Sequence, residues 1–249
     1  MSTQTIPEAL PKFSDADFIA EQRQPFAAIL SDMDGTMVDT EPLWFNTEVL
    51  MMANYGLEWT EEDQIHCHGV SSDQVAKYMA GRIEESDQRA PTAAELDDRF
   101  LEIMLEQFGH SMPSPQDGII ELLADVKDHD IPRALVTSSP RPLMEQVVHE
   151  LAAGLFDATV SADDVEHRKP DPSPYLLAAE LLGVDPSECI AIEDSPTGMA
   201  SALAAGTFVV GVDHMGQLQP GPRRVIVDSL SGIDYRWLRQ AVMQGAVAN

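Results

Sequence analysis

The sequence predicts an α/β fold, a doubly wound (Rossmann-like) parallel sheet carrying an all-helical insertion. Three observations predict it. From residue 118 onward, short apolar runs alternate with helix-forming segments, the pattern of parallel strands joined by crossovers. Strand signals are absent between about 40 and 112, where the segments read as helices. One apolar run, Phe26 to Leu30, precedes that helical block, so the block interrupts the sheet after its first strand.

In chain order, residues 1–24 are polar, with Pro7 and Pro11, and read as an extension that carries no chemistry. The first strand follows Pro25. Helix formers then run from Glu41 to Tyr55, with Leu43, Val49, Leu50 and Met51 in helical spacing. Further helices are predicted at Ser71 to Glu84 and at Thr92 to Phe108, where Thr92 and Glu95 make a capping box. Pro113 and Pro115 close the block. The predicted domains are therefore a core of 25–40 plus 113–249 and a helical cap of 41–112.

Within the second core segment, helices are predicted at Asp117 to Asp128, Pro140 to Leu151, Pro174 to Leu182, Pro196 to Ala205 and Asp234 to Met243. Strands are predicted at Arg133 to Val136, Ala158 to Val160, Cys189 to Ile192, Phe208 to Val212 and Val225 to Val227. Gly154, Gly183 and Gly206 stand where helices should stop.

Composition excludes several classes of function. The 42 acidic residues against 15 basic ones give a formal charge of −27, which argues against nucleic acid and against anionic membrane surfaces. No apolar run approaches the ~18 residues of a membrane span, and residues 1–20 lack the apolar stretch of an ordinary signal peptide. Two cysteines, Cys67 and Cys189, make a disulfide framework implausible and point to the cytoplasm. Neither usual glycine-rich nucleotide fingerprint occurs.

Chemistry concentrates where strands end. Ser31-Asp32-Met33-Asp34-Gly35-Thr36 places two carboxylates one residue apart behind the first strand. Like charges so close stay ionised only beside something positive, and hard oxygen donors suit Mg²⁺. A calcium loop of the EF-hand type is excluded, because Thr36 and Met37 occupy its fifth and sixth positions. Two more runs end in polar residues: Val136 leads into Thr137 and Ser138, and Ile192 into Glu193 and Asp194. Ligands of open parallel sheets bind outside the carboxyl ends of the strands, so these groups should share one crevice. Ser139-Pro140 and Ser195-Pro196 each read as an N-cap followed by the first helical residue. Lys169, in a proline-stiffened loop, supplies the cation a phosphate site needs.

The order acid, hydroxyl, lysine, acid resembles the haloacid dehalogenase superfamily, a family of mostly Mg²⁺-dependent phosphatases and phosphomutases. Its first motif matches Asp32-Met33-Asp34-Gly35-Thr36, with Val38-Asp39-Thr40-Glu41 as in the subfamily with a small helical cap; the others match Thr137, Lys169 and Glu193-Asp194. The resemblance implies that Asp32 attacks phosphorus and that Asp34 is the acid/base. It further implies that Asp32, the Asp34 carbonyl, Asp194 and Glu193 hold Mg²⁺, and that Thr137, Ser138 and Lys169 grip the phosphoryl oxygens. Near the cap loop, Gly69, Ser72, His66 and His68 are candidates for contact with the substrate, a small phosphorylated metabolite such as a sugar phosphate, although His66 and His68 read more readily as a surface pair than as ligands. An acidic residue at Asp34 argues against dehalogenation.

β-Phosphoglucomutase is the alternative within the family, disfavoured because it has an arginine where Ser72 stands and a histidine where Trp44 stands. A receiver-type signalling module, also built from acids, a hydroxyl and a lysine, is about half this length and lacks the helical insertion.

Overall fold

In the computed structural model, residues 24–67 and 72–247 are described. Six parallel strands form one sheet in the order β3-β2-β1-β4-β5-β6. They are β1 (Ala28–Ser31), β2 (Arg133–Val136), β3 (Ala158–Val160), β4 (Cys189–Glu193), β5 (Phe208–Val212) and β6 (Arg224–Val227). The order reverses beside β1, whose neighbours are β2 and β4, and that switch point is where an open sheet leaves a crevice.

Strand side chains alternate between two buried layers. Ile29, Leu135, Ile190 and Val210 face one hydrophobic core. Leu30, Val136, Ala191 and Val209 face the other. Helices α5 (Ile119–Asp128), α6 (Arg141–Leu151) and α9 (Tyr235–Val247) feed the first layer, and α7 (Ser173–Leu182) and α8 (Pro196–Ala204) the second. Burial on both faces explains why these strands read as continuous apolar runs.

Between β1 and α5 the chain forms α1 (Glu41–Ala53), α2 (Glu61–Cys67), α3 (Ser72–Glu85) and α4 (Ala93–His110), with no strand among the described residues. The predicted helices lie within about two residues of these bounds. Helix α2 was not singled out by the sequence pattern, being too short for a periodic signal. It is started by a capping box in which Thr60 and Asp63 exchange hydrogen bonds. Asp63 also accepts from the Tyr78 hydroxyl at 2.7 Å and from Arg82, tying α2 to α3. At α4 the expected Thr92/Glu95 box is present. The chain leaves the sheet at residues 38–40 and returns at 113–116, and these linkers lie side by side: Asp39 N donates to Ser114 O at 2.9 Å and Gln116 N to Met37 O at 2.9 Å.

Among the described residues no helix is long and apolar enough to cross a membrane. Both cysteines are buried and unbridged. Burial pushes the Cys189 thiol up to about 12, an inert core sulfur.

Candidate active site

Adjacent strands β2, β1 and β4 end at the same edge, and this brings the predicted polar residues together. Asp32 leaves β1 with its amide donating to Ile192 O at 2.9 Å, so its position is fixed by the ladder itself. Lys169 reaches in from its loop, buried, and donates to Asp32 Oδ1 at 2.6 Å, Glu193 Oε1 at 2.7 Å and Val136 O at 2.9 Å. All three donors of the ammonium are thereby used. Tyr175 from α7 places its ring 5.1 Å from Lys169 Nζ and donates its hydroxyl to Glu193 Oε1.

Asp32, Glu193 and Asp194 offer oxygens that all lie within 4.8 Å of one another. Burial drives the Asp32 carboxyl up to about 8, with Glu193 and Asp34 adding to the rise and Lys169 opposing it. Burial also raises Asp194 well above the carboxylate range, reinforced by Asp32 and Glu193. Lys169 is held charged despite its burial, because Asp32 and Glu193 outweigh the desolvation. With all three carboxylates ionised, one ammonium would leave two negative charges uncompensated, which is why burial and mutual repulsion push the carboxyls up. A divalent cation with a preference for oxygen would balance them, so the donor set fits Mg²⁺.

Two glycines make room for these carboxylates. Gly35 has φ +80°, which an L side chain rarely adopts, and a Cβ there would collide with the Asp194 carboxylate. A Cβ at Gly198 would collide with the Glu193 carboxylate. Asp194 Oδ1 additionally accepts from Thr36 Oγ1 at 3.1 Å.

Asp34 stands apart from the acidic cluster and accepts four side-chain hydrogen bonds. Oδ1 takes Thr40 Oγ1 at 2.9 Å and Trp44 Nε1 at 3.3 Å. Oδ2 takes Ser139 Oγ at 2.7 Å and Thr137 Oγ1 at 3.0 Å. Indole nitrogen can only donate, whereas hydroxyls can also accept. Oδ1 is therefore fixed as an acceptor, and Oδ2 is the oxygen whose partners can turn round when the carboxyl is protonated.

One expectation is corrected. Ser139 is not the N-cap of α6; Pro140 holds that position without a side-chain bond, the Ser139 hydroxyl is spent on Asp34, and the Arg141 amide at the helix start donates to Asp163 Oδ2 at 2.9 Å. Ser195 does cap α8, accepting from the Gly198 amide at 3.0 Å. Thr137, expected on the phosphoryl group, points its hydroxyl at Asp34. Ser138 and Ser72 line the cavity above the site. His68 and Gly69 lie outside the described residues. His66 is exposed and stacks on Tyr78, with ring centroids 4.3 Å apart. Thr36, Thr40, Ser139 and Tyr175 were missed as site residues. The two threonines stand inside the recognised acidic motif, a signal that could have found them, whereas Tyr175 reads as an ordinary helix residue.

A family model described as haloacid dehalogenase-like hydrolase matches residues 29–212. Hexitol phosphatase B of Escherichia coli K12 is 32% identical over 208 residues, covering 83% of this chain and 91% of that protein. Fructose-1-phosphate phosphatase YqaB of the same organism is 32% identical over 188 residues, covering 75% and 96%. Among solved structures, a β-phosphoglucomutase from Clostridium difficile superposes with a TM-score of 0.77 over 89% of this chain and 99% of that one, at 22% identity, a likeness of fold.

Proposed function

The chain belongs to the haloacid dehalogenase-like hydrolases, and from that premise we propose that it is a Mg²⁺-dependent phosphatase of small phosphomonoesters, sugar or sugar-alcohol phosphates foremost. The observation that carries this reading is the pair of aspartates with separate surroundings: Asp32 in the metal-capable cluster beside Lys169, and Asp34 outside it in a cage of hydroxyls and indole. One carboxylate is arranged for nucleophilic attack and the other for proton transfer.

Asp32 is the nucleophile. It attacks phosphorus, the bond to the ester oxygen breaks, and an aspartyl-phosphate forms. Asp34 gives a proton from Oδ2 to the departing oxygen, the hydroxyls of Thr137 and Ser139 reorienting around it, and then takes a proton from the water that releases phosphate. Lys169 neutralises Asp32; in this reading Lys169 and Thr137 each exchange a present acceptor for a phosphoryl oxygen, beside the Ser138 amide. Asp32, Asp194 and the Asp34 carbonyl, with Glu193 directly or through water, would hold Mg²⁺, which would supply charge neutralisation for phosphoryl transfer. The buried unbridged cysteines suit a reducing cytoplasm.

Relatives that act on sugar and hexitol phosphates support the phosphatase over the mutase. So does the cavity: among its described lining residues Lys169 is the only Lys or Arg, and no described cap residue of the lining offers a cation to a second phosphate. A panel of phosphorylated metabolites with Mg²⁺ tests the reading, with β-glucose 1-phosphate plus its bisphosphate as the mutase arm. Multiple turnovers of at least one monoester, abolished by Asp32→Asn, are expected. Retained activity in Asp32→Asn refutes the nucleophile, and a single stoichiometric phosphorylation refutes the hydrolase.

A further inference from the structure

The cavity has a charged floor and a different roof. Its floor is Asp32, Asp34 and Lys169; its roof includes one face of α1, residues Glu41, Trp44 and Glu48, spaced as successive turns of a helix, together with Ser72 at the start of α3. Two roof groups are buried polar atoms in need of partners. Glu48 is 4% exposed, and among the described residues its carboxylate accepts one hydrogen bond, at Oε2 from Trp59 Nε1 at 2.8 Å. A carboxylate has about four acceptor sites, so one donor leaves it under-satisfied. Ser72 is 3% exposed, and its hydroxyl has no partner among the described residues. Buried polar groups are ordinarily paired, and a ligand is the partner that a cavity wall would receive.

The spacing says which part of a ligand. Trp44 touches Asp34, the group assigned to the leaving oxygen. Glu48 lies one helical turn further along the same face, about 6 Å along the axis. That is roughly the reach of a four-carbon chain extending from the phosphate ester. We propose that Glu48 and Ser72 bind hydroxyl groups on the far end of the leaving group, so that this enzyme selects neutral polyol or sugar monophosphates and rejects monoesters whose far end is anionic. The inference rests on the phosphatase reading and adds the substrate's second recognition element. Glu48 accepts from hydroxyls, its orientation set by Trp59, whose N–H can only donate. Ser72 can both donate and accept. Glu48 is itself an acid, and no Lys or Arg stands among the described roof residues of the cavity, so a carboxylate or second phosphate brought there would meet like charge.

The test uses the full-length enzyme with Mg²⁺ and three substrates: a hexitol monophosphate, phosphoglycolate, and p-nitrophenyl phosphate, which offers the roof no hydroxyl. The wild type is expected to favour the hexitol ester over phosphoglycolate in kcat/KM by about tenfold or more, the scale of one hydrogen bond to a charged group. In Glu48→Gln the ratio of hexitol phosphate to p-nitrophenyl phosphate should fall about tenfold, mainly through KM. Ser72→Ala should lower the same ratio severalfold and serves if the first variant does not fold. A wild type that prefers phosphoglycolate, or variants whose ratio does not change while p-nitrophenyl phosphate is turned over, overturns the inference and leaves the phosphatase reading standing. A wild type that hydrolyses none of the three overturns both.

Discussion

Replacing Gly198 by alanine sets two physical effects against each other, and the structure decides the sign. Gly198 lies in the first turn of α8, where alanine is the better helix former by about 1 kcal/mol. Its Cβ, however, would strike the Glu193 carboxylate, which is fully buried, paired with Lys169 at 2.7 Å and bonded to Tyr175. That carboxylate has nowhere to swing. Overpacking costs about 1–3 kcal/mol, and pulling one partner from a buried ion pair costs about 3–5 kcal/mol when the break is complete. The expected net loss is about 2–5 kcal/mol, a melting temperature lower by roughly 5–15 °C for a chain of this size. Gly81, inside α3, is the matched control: a Cβ there meets nothing within 4 Å. Gly81→Ala should gain about 0.5–1 kcal/mol, raising the midpoint by roughly 1–4 °C. Thermal unfolding of both variants by circular dichroism reads the contrast. A Gly198→Ala protein as stable as the wild type would refute the claim that the Glu193 carboxylate is rigidly seated.

Trp44→Phe keeps an aromatic ring to stack on Phe100, now at 4.8 Å, but removes the donor to Asp34 Oδ1. kcat should fall about tenfold with unchanged thermal stability, the lower end for a hydrogen bond to a charged group because this one is long. Arg168 reaches from the phosphate loop to Asp73 of α3 at 2.7 Å, joining sheet and helical block. Both side chains are partly solvated, so Arg168→Ala should lower kcat/KM only about threefold, and added salt should do the same to the wild type. Burial raises Glu48 from 4.5 to about 7, opposed by the Trp59 bond and aided by Glu41. The unfolded chain therefore releases this proton first as pH rises, and folding stability contributed here falls between about pH 4.5 and 7, by up to about 3 kcal/mol. Glu48→Gln removes that loss, so urea titrations should show the variant gaining on the wild type from pH 5 to pH 8.

The charged half of the site was legible in the sequence and the neutral half was not. Asp32, Lys169, Glu193 and Asp194 stand at strand ends or in a stiffened loop, where their type and place already demand a cation or an anion. Four spaced motifs fixed them together. Ser139 and Tyr175 are ordinary in helix starts and helices, and what makes them site residues is their approach to acids from other strands. Ser139 shows the reason most clearly: Ser-Pro before a helix favours a cap by local chemistry, and a carboxylate contributed by another strand outbid the helix for the hydroxyl. The parallel sheet was legible because burial on both faces leaves apolar runs. Short α2 was not, since seven residues hold fewer than two full turns of periodic signal.

The four donors to Asp34 come from two bodies. Thr137 and Ser139 belong to the sheet edge and hold Oδ2, whereas Thr40 sits in the linker and Trp44 in α1, and these hold Oδ1. The linkers at 38–40 and 113–116 are bonded to each other, so a rotation of the helical block would take place about that pair. Such a rotation would withdraw Trp44 and leave the two hydroxyls in place. Asp34, the proposed acid/base, would then keep the hydroxyls on Oδ2 but lose the indole donor on Oδ1. Full orientation of Asp34 thus needs both bodies in the arrangement seen here. If Asp32 and Asp34 act as proposed, water reaching a site from which Trp44 had withdrawn would meet the nucleophile without a fully aligned acid.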